Sequence, residues 1–474
     1  MGERVGPSPA HLPLAGALLA GLVAVGGAWS RHGGAAILAV LCLGALLAGW
    51  ATTARALDGQ RRSALTTAVA DRADATIDAT LTTDPDATRF NSRALARVQR
   101  RIVVVDASGA AAGRLAVLRA GDRVRLAGYF RPLDRFEARA RWQHAVGAFA
   151  ADDVLGVGPP RSPLMRIAGW LRDRVLAGTR TVPEPQRALL AGFLLGDTTD
   201  LPPIVVADFR AAGLSHLVAV SGQNVAFVLA LAGPLLRRGH RALRLALGVG
   251  VVVVFAAMTR FEPSVLRASA MAGCSMTALA VGRPTAGLRS LTLAVTVLLL
   301  VDPFLLHSIG FALSCAASVG IALWSRPIAD RVPGPRPVAE ALGVTVAAQL
   351  AVAPLLVLVF DGVPLVSVPA NLLVAPVAGP LTALGLLGGV VGGIAGGPVA
   401  ALVTFPAYVC ATAVLLVARS SAAVPLAVGP AELLAATPVL VVAGGVFAVR
   451  SVRRATWRRA RPRPPEPGLA LPPR

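Results

Sequence analysis

"FRAAGLSHLVAVSGQNVAFVLAL" (Phe209–Leu231) decides how this chain is read. Most of the stretch is Leu, Val, Ala and Phe, the composition of a lipid-facing or buried helix. His216, Ser221, Gly222, Gln223 and Asn224 interrupt it. Lipid offers no hydrogen-bond partners, so polar groups at bilayer depth need protein or water around them. On a regular helix His216, Gln223 and Asn224 share one face, at spacings of seven and eight, and Ser221 neighbours Asn224 at i, i+3. Gly222 weakens the helix and allows unwinding. Interrupted helices near the midplane form binding or permeation sites. Helix–helix glue through Ser, Asn and Gln is the plainer alternative.

The surrounding composition agrees with a membrane chain. Of 474 residues 55% are hydrophobic and 15% charged, and the mean hydropathy is +0.66. These values describe a polytopic membrane protein. Every basic residue is Arg and none is Lys. A P-loop needs a Lys at the phosphates, so the chain is no P-loop ATPase and energy for transport must come from outside it. Cys42, Cys274, Cys315 and Cys410 lie in apolar runs with no CxxC pair, and the six His are scattered, so neither a disulfide frame, a metal nor a cofactor is expected. The first apolar run lacks the pattern of a cleaved signal and reads as a retained span.

Apolar runs of bilayer length recur at 12–29 and 35–51, then at 214–236, 245–258, 264–281, 289–301, 308–324, 343–360, 365–398, 400–418 and 434–449. Between the two sets, residues 52–163 hold 18 Arg against 12 Asp plus Glu. Here "ALARVQRRIVVVDASG" and "LRAGDRVRLAGYFRP" alternate apolar and polar residues between turn signals, which predicts a small barrel-like β domain. Amphipathic helices are expected over 164–212, with Pro183 and Pro185 at a start and Gly213 at a stop. The predicted organisation is thus a hairpin (1–51), a β domain (52–163), amphipathic helices (164–212), a membrane domain (213–449) and a basic tail (450–474).

Loop charge assigns sides. Loops 237–244, 282–289 and 325–338 are basic, whereas 259–263, 302–307 and 361–364 are not. With the basic loops inside, the β domain is extracytoplasmic, and the 365–398 region crosses once in net terms. Pro369, Asn371, Pro376 and Pro380 predict a broken or re-entrant element there. Arg267 lies about one turn inside its span and calls for an acidic or carbonyl partner, with Glu262 the nearest acid in sequence. Gln349 falls in the middle of its span.

Several stretches then resemble one family, the ComEC-type competence proteins. They are "RALLAGFLLGDTTDL", "FRAAGLSHLVAVSGQNVAFVLAL", "PSVLRASAMAG", "DPFLLHSIGFALSCAASVGIAL" and "AQLAVAPLLVLVFDGVPLVSVPANLLVAPVAGPL". "LRAGDRVRLAGYFRPLDRF" resembles the family's extracytoplasmic OB-like domain. The resemblance covers about 12–450. It implies a mainly α polytopic protein of the bacterial inner membrane, with an inserted OB-like β domain, that conducts single-stranded DNA during natural transformation. Partners so implied are single-stranded DNA, membrane lipids, and a separate receptor, nuclease and cytoplasmic ATPase. The path would be lined by His216, Ser221, Gly222, Gln223, Asn224, Arg267, Gln349 and Asn371. Phosphates would meet Arg93, Arg97, Arg101, Arg123, Arg125 and Arg131, and bases would stack on Tyr129, Phe130, Phe136 and Trp142. Two departures stand out: Asn224 replaces the His that often follows Ser-Gly-x, and the HxHxDH signature of the family's metallo-β-lactamase-like domain is absent. A small-solute or anion transporter is the alternative. An intramembrane hydrolase with Ser221 as nucleophile and His216 as base is a third, weakened by their spacing and by the missing G-x-S-x-G. The expected protein is a conduit, not an enzyme.

Overall fold

Alternation of burial builds the β domain. In the strand Asn91–Val98, Ser92, Ala94, Ala96 and Val98 are buried while Arg93, Leu95 and Arg97 face outward. The computed structural model describes residues 64–424, apart from 89, 219, 237–239, 283–286 and 361, together with 427–428. Helix α1 (Ala64–Ala70) leads into strands β1 (Asp74–Leu81), the short β2 (Asp86–Ala87), β3 (Asn91–Val98) and β4 (Arg101–Ser108). Helix α2 (Gly109–Ala116) follows, then β5 (Arg123–Arg131) and β6 (Ala145–Gly158). β1 pairs antiparallel with β3, β3 with β4, β6 with β5, and β5 with β1, while β4 runs parallel to β6. Each of the five long strands therefore has two neighbours, and the sheet closes. A five-stranded barrel with a helix between its third and fourth long strands has the connectivity of an OB-fold. Val103, Val105, Leu115, Leu126, Phe130 and Phe149 fill it.

The helical part begins with α3 (Pro163–Gly178), α4 (Gln186–Leu195), α5 (Pro203–Ala211) and the four-residue α6 (Ser215–Val218). Gly196, at φ 74°, ends α4 in the left-handed conformation that glycine takes without strain. Longer helices follow: α7 (Gly222–Leu236), α8 (Arg241–Met258), α9 (Pro263–Ala280), α10 (Gly287–Val301), α11 (Ile309–Ala329), α12 (Arg336–Phe360), α13 (Ser367–Ala395) and α14 (Gly397–Ala422). Among the described residues, α8, α11, α12, α13 and α14 are long and apolar enough to cross a membrane. A two-residue ladder joins β7 (Val363–Pro364) to β8 (Ala427–Val428). The runs expected at 12–29, 35–51 and 434–449, and the tail from 450, lie outside the described residues.

Two sequence expectations need correction. The 214–236 run is not one helix, because Val220 and Ser221 stand outside helical geometry ahead of Gly222. The 365–398 region is not broken, because α13 runs through Pro376 and Pro380 for 29 residues, about 43 Å at 1.5 Å per residue. Neighbouring helices steady such proline-containing spans. α3 lies directly on α13: a Cβ on Gly393 would stand 1.9 Å from the Arg174 carbonyl oxygen, and one on Gly178 2.1 Å from that of Gly389. The glycines of "GGVVGGIAGG" are the condition for that contact.

Candidate functional site

The helix break is held by protein groups on both sides. The Val220 carbonyl, freed from a helical ladder, accepts from the Ser264 hydroxyl of α9 at 2.6 Å. Asn224 is 2% exposed. Its Nδ2 donates to the Phe193 carbonyl of α4 at 2.8 Å, and its Oδ1 accepts from Ser221 Oγ at 3.4 Å. Asn224 therefore faces α4 and acts as glue, against its expected place on an open path. Gly222 sits against α9, where an added Cβ would lie 2.7 Å from Arg267 Nη2 and 3.0 Å from the Ala268 Cβ. Gln223 and His216 are exposed. The shared face expected for His216, Gln223 and Asn224 fails because helical periodicity stops at the break. Ser221 bonds Asn224 and no Ser221–His216 bond exists among the described residues, so no nucleophile–base pair is assembled.

Arg267 is 8% exposed. Its Nε donates to Ser314 Oγ of α11 at 2.7 Å, and Nη1 lies 3.0 Å from Met271 Sδ. No carboxylate pairs with it among the described residues, which corrects the expected Glu262 partner. Asn371 donates to the Ser367 carbonyl of its own helix at 2.7 Å, and Ser367 packs where a Cβ on Gly213 would come within 2.4 Å. Gln349 stands half-buried in α12 and bonds to none of these. Ser221, Gly222, Asn224 and Arg267 thus converge, whereas His216, Gln223, Gln349 and Asn371 stand apart.

The barrel arginines divide. Arg123 and Arg125 lie on β5, Arg123 donating to the Pro159 carbonyl and Arg125 paired with Asp78 at 2.8 Å. Thr80 of β1 stands between Arg97 of β3 and Arg123 of β5, so these two arginines lie in one row with one strand between them. Arg97 and Arg101 stand near the tip of the β3–β4 hairpin with no ion pair among the described residues. Arg93 and Arg131 share Asp106 and Glu137: Arg131 meets Glu137 at 2.7 Å through both terminal nitrogens and Asp106 at 2.9 Å, and Arg93 lies 3.5 Å from Glu137. The Glu137 side chain is 1% exposed. The loop after β5 (132–144) thus lays a buried carboxylate across two of the arginines expected to contact phosphate. Those hydrogen bonds raise the Arg131 pKa further. Phe130 is core, edge-on to Phe149, and Trp142 stacks on His307 at 3.6 Å, so neither is open to bases. Phe136 and Tyr129 remain exposed, and Phe90, not singled out from sequence, is exposed too.

Two joints seat the barrel on the membrane helices. The β1–β2 loop supplies Asp84, which meets Arg172 of α3 at 3.1 Å and Arg260 of the α8–α9 loop at 2.9 Å. Arg172 also holds Asp197 at 2.9 Å and donates to the carbonyls of Leu195 and Met258. Burial opposes ionisation of Asp84, but Arg172 and Arg260 outweigh it and hold the carboxyl below its usual range. In the second joint, His144 Nε2 lies 3.0 Å from Asp302 Oδ1 in the α10–α11 loop, beside the Trp142–His307 stack. In an OB-fold the loops bounding the nucleic-acid groove are those between the first and second and between the fourth and fifth strands. In this chain those loops, 82–90 and 132–144, both touch the membrane domain, and the α2–β5 loop adds an ion pair from Arg119 to Asp173 of α3. Sequence reasoning missed Asp84, Arg172, Glu137 and His144. Asp197 stood in a quoted motif without a role.

Residues 193–455, more than half of the chain, match the family model described as Competence protein. The chain belongs to the competence protein family. The matched region starts at Phe193, whose carbonyl holds Asn224, and includes the break and helices α7–α14, while the barrel precedes it. Membership and the five long apolar helices make it a membrane protein. The chain is 29% identical over 222 residues to "Uncharacterized protein YcaI" of Escherichia coli (strain K12), covering 44% of this chain and 29% of that protein. It is 28% identical over 237 residues to "ComE operon protein 3" of Bacillus subtilis (strain 168), covering 49% of this chain and 30% of that protein. The aligned part of the chain spans less than a third of each of these curated relatives. No solved structure matches the chain.

Proposed function

We propose that this competence-family protein conducts single-stranded DNA across the bacterial inner membrane during natural transformation. The observation that carries the reading is the seating of the barrel: both groove-bounding loops rest on membrane-domain loops 259–262 and 302–308. A strand held in the groove would be delivered straight to the helical bundle. Arg97 and Arg101 contribute phosphate contacts at the hairpin tip, and the Ser221–Gly222 break, next to Arg267, receives the strand. The break is packed in this conformation, so passage requires α6 and α7 to move against α9. The barrel lies outside the membrane and the basic loops lie in the cytoplasm. Energy and strand degradation come from separate partners, and the chain acts as a conduit without a catalytic step of its own.

The test uses the full chain in lipid nanodiscs with a labelled oligodeoxythymidylate. Binding is expected to be sequence-independent and to weaken steeply with salt, because phosphate contacts release counterions. Absence of binding at low salt would remove the DNA reading of the barrel. Marker-DNA uptake, in a host deleted for its own family member, tests conduction.

A further inference from the structure

Among the described residues the buried guanidinium of Arg267 has no counter-charge, which such a group requires. Arg267 is the fifth residue of α9 and 92% buried, the complement of its 8% exposure. Its partners, the Ser314 hydroxyl and the Met271 sulfur, are neutral. The acid nearest in sequence, Glu262, is exposed and makes no ion pair with it. Removing a cation from water without an anion beside it is costly, and more so within a membrane span.

A second positive feature faces it. Nη2 of Arg267 makes no hydrogen bond to any described residue, and it lies 2.7 Å from where a Cβ on Gly222 would stand. Gly222 is the first residue of α7, a helix of 15 residues. The first turn of such a helix presents unpaired N–H groups and the positive end of the helix dipole. This nitrogen, with no bond to a described residue, therefore lies beside a helix N-terminus, an arrangement that an adjacent anion would stabilise. Glycine at 222 lets the guanidinium approach the start of the helix, since a Cβ there would also meet the Ala268 Cβ at 3.0 Å, and the Ser221 hydroxyl stands at the same turn.

We propose that Arg267, Ser221 and the N-terminus of α7 form a binding station for one tetrahedral oxyanion of phosphate type. A guanidinium fork opposite helix N–H groups suits phosphate oxygens. The site itself needs only the anion. Its identification with a phosphodiester of a passing strand rests on the conduit reading above, and free phosphate shares the same chemistry.

The experiment places a single cysteine at the site by Ser221→Cys, with Cys42, Cys274, Cys315 and Cys410 replaced by Ala, in the full chain in nanodiscs. Modification is timed with an anionic sulfonatoethyl and a neutral hydroxyethyl methanethiosulfonate, each corrected for its reactivity with a free thiol. The anionic reagent is expected to react about tenfold faster, the scale of one charge-assisted hydrogen bond, and inorganic phosphate is expected to slow it. Arg267→Gln removes both effects, and Arg267→Lys keeps part of the preference. Gly222→Ala, which places a methyl group against Nη2, weakens phosphate protection with the arginine still present, so the test survives a misfolded Arg267→Gln. An equal reagent ratio with and without the guanidinium, or no protection by phosphate, overturns the station. A short oligodeoxythymidylate separates the two readings. Protection by phosphate but not by the oligonucleotide keeps the station and removes the strand path, whereas DNA uptake without phosphate protection does the reverse.

Discussion

Asp84→Ala should loosen the barrel from the membrane helices without unfolding either. The side chain accepts from Arg172, from Arg260 and from the Ala120 N–H at 2.9 Å. After its removal Arg172 still has Asp197 and two carbonyls, so its cost is modest. Arg260 loses its only carboxylate among the described residues while its side chain remains 10% exposed. Stranding a buried charge costs about 3–5 kcal/mol. Arg260 sits at the rim of the joint and can turn toward water, which favours the lower end, ~3 kcal/mol, or about a hundredfold in the docking equilibrium. Hydrogen exchange of the full chain in nanodiscs reads this directly. Peptides covering 82–90 and 259–262 should exchange about a hundredfold faster, while the barrel core around Val103–Val105 stays protected. Unchanged exchange at 259–262 would refute the joint, and an equal rise in the barrel core would show that Asp84 serves barrel stability instead. Asp84→Asn, which keeps an acceptor, should fall between.

Glu137→Gln should leave Arg93 and Arg131 with Asp106 as their one carboxylate among the described residues, tightening oligodeoxythymidylate binding at low salt and steepening its salt dependence; titration at several salt concentrations measures both. Gly222→Leu should block marker-DNA uptake at matched protein levels, whereas Ser221→Ala should retain much of it; a hydrolase would reverse that ranking. Acidification should loosen the barrel in two stages. Burial holds the His307 imidazole below its ordinary range, so its contribution is complete above the unfolded value, about 6.5, and is lost as pH falls through the folded one. Asp84 behaves likewise below about pH 4, and exchange at 82–90 and at 302–308 followed across pH distinguishes the two. Single cysteines in a background lacking the native four should label from outside near Gly109 and be protected near Arg238, Arg331 and Arg454; outside labelling at Arg238 would overturn the orientation.

The legible parts were those set by local periodicity. Alternation from Ala94 to Val105 gives strands whichever partners they find, and the OB connectivity followed once the strands closed. Bilayer-length apolar runs gave helices for the same reason. Proline was the misleading signal in α13, because its effect depends on the neighbours that steady the helix, and sequence does not list neighbours. Asn224 was read by polarity as lining an open path, yet its partner is a carbonyl 31 residues away. Asp84 and Arg260 are 176 positions apart and His144 and Asp302 are 158 apart, so both joints lie beyond any spacing argument. Glu137 lies six residues from Arg131, near enough to notice, but only the fold of the loop shows that the carboxylate turns inward.

Loop charge and barrel contact are independent arguments, and they select the same loops. Counting arginines groups 259–263, 302–307 and 361–364 on one side without reference to structure. The barrel touches Arg260 in the first of these loops and Asp302 and His307 in the second, and the β7–β8 ladder ties Val363 in the third to Val428. Of the helices between these loops, α8 and α11 are long and apolar enough to cross a membrane and α10 is shorter; these barrel contacts fall on loops of the non-basic set. Depth follows from the same frame. Gly222 meets Arg267, four residues past the start of α9 at Pro263, roughly 6 Å along that helix at 1.5 Å per residue. The polar tetrapeptide therefore packs near the barrel-side end of α9. At that depth Ser264 and Phe193 supply the hydrogen bonds that lipid cannot. A movement of α7 that parts Val220 from Ser264 and Asn224 from Phe193 must offer replacements at the same moment. Water can satisfy all four freed groups, whereas phosphate oxygens can accept only from the Ser264 hydroxyl and the Asn224 amide and leave the Val220 and Phe193 carbonyls to water.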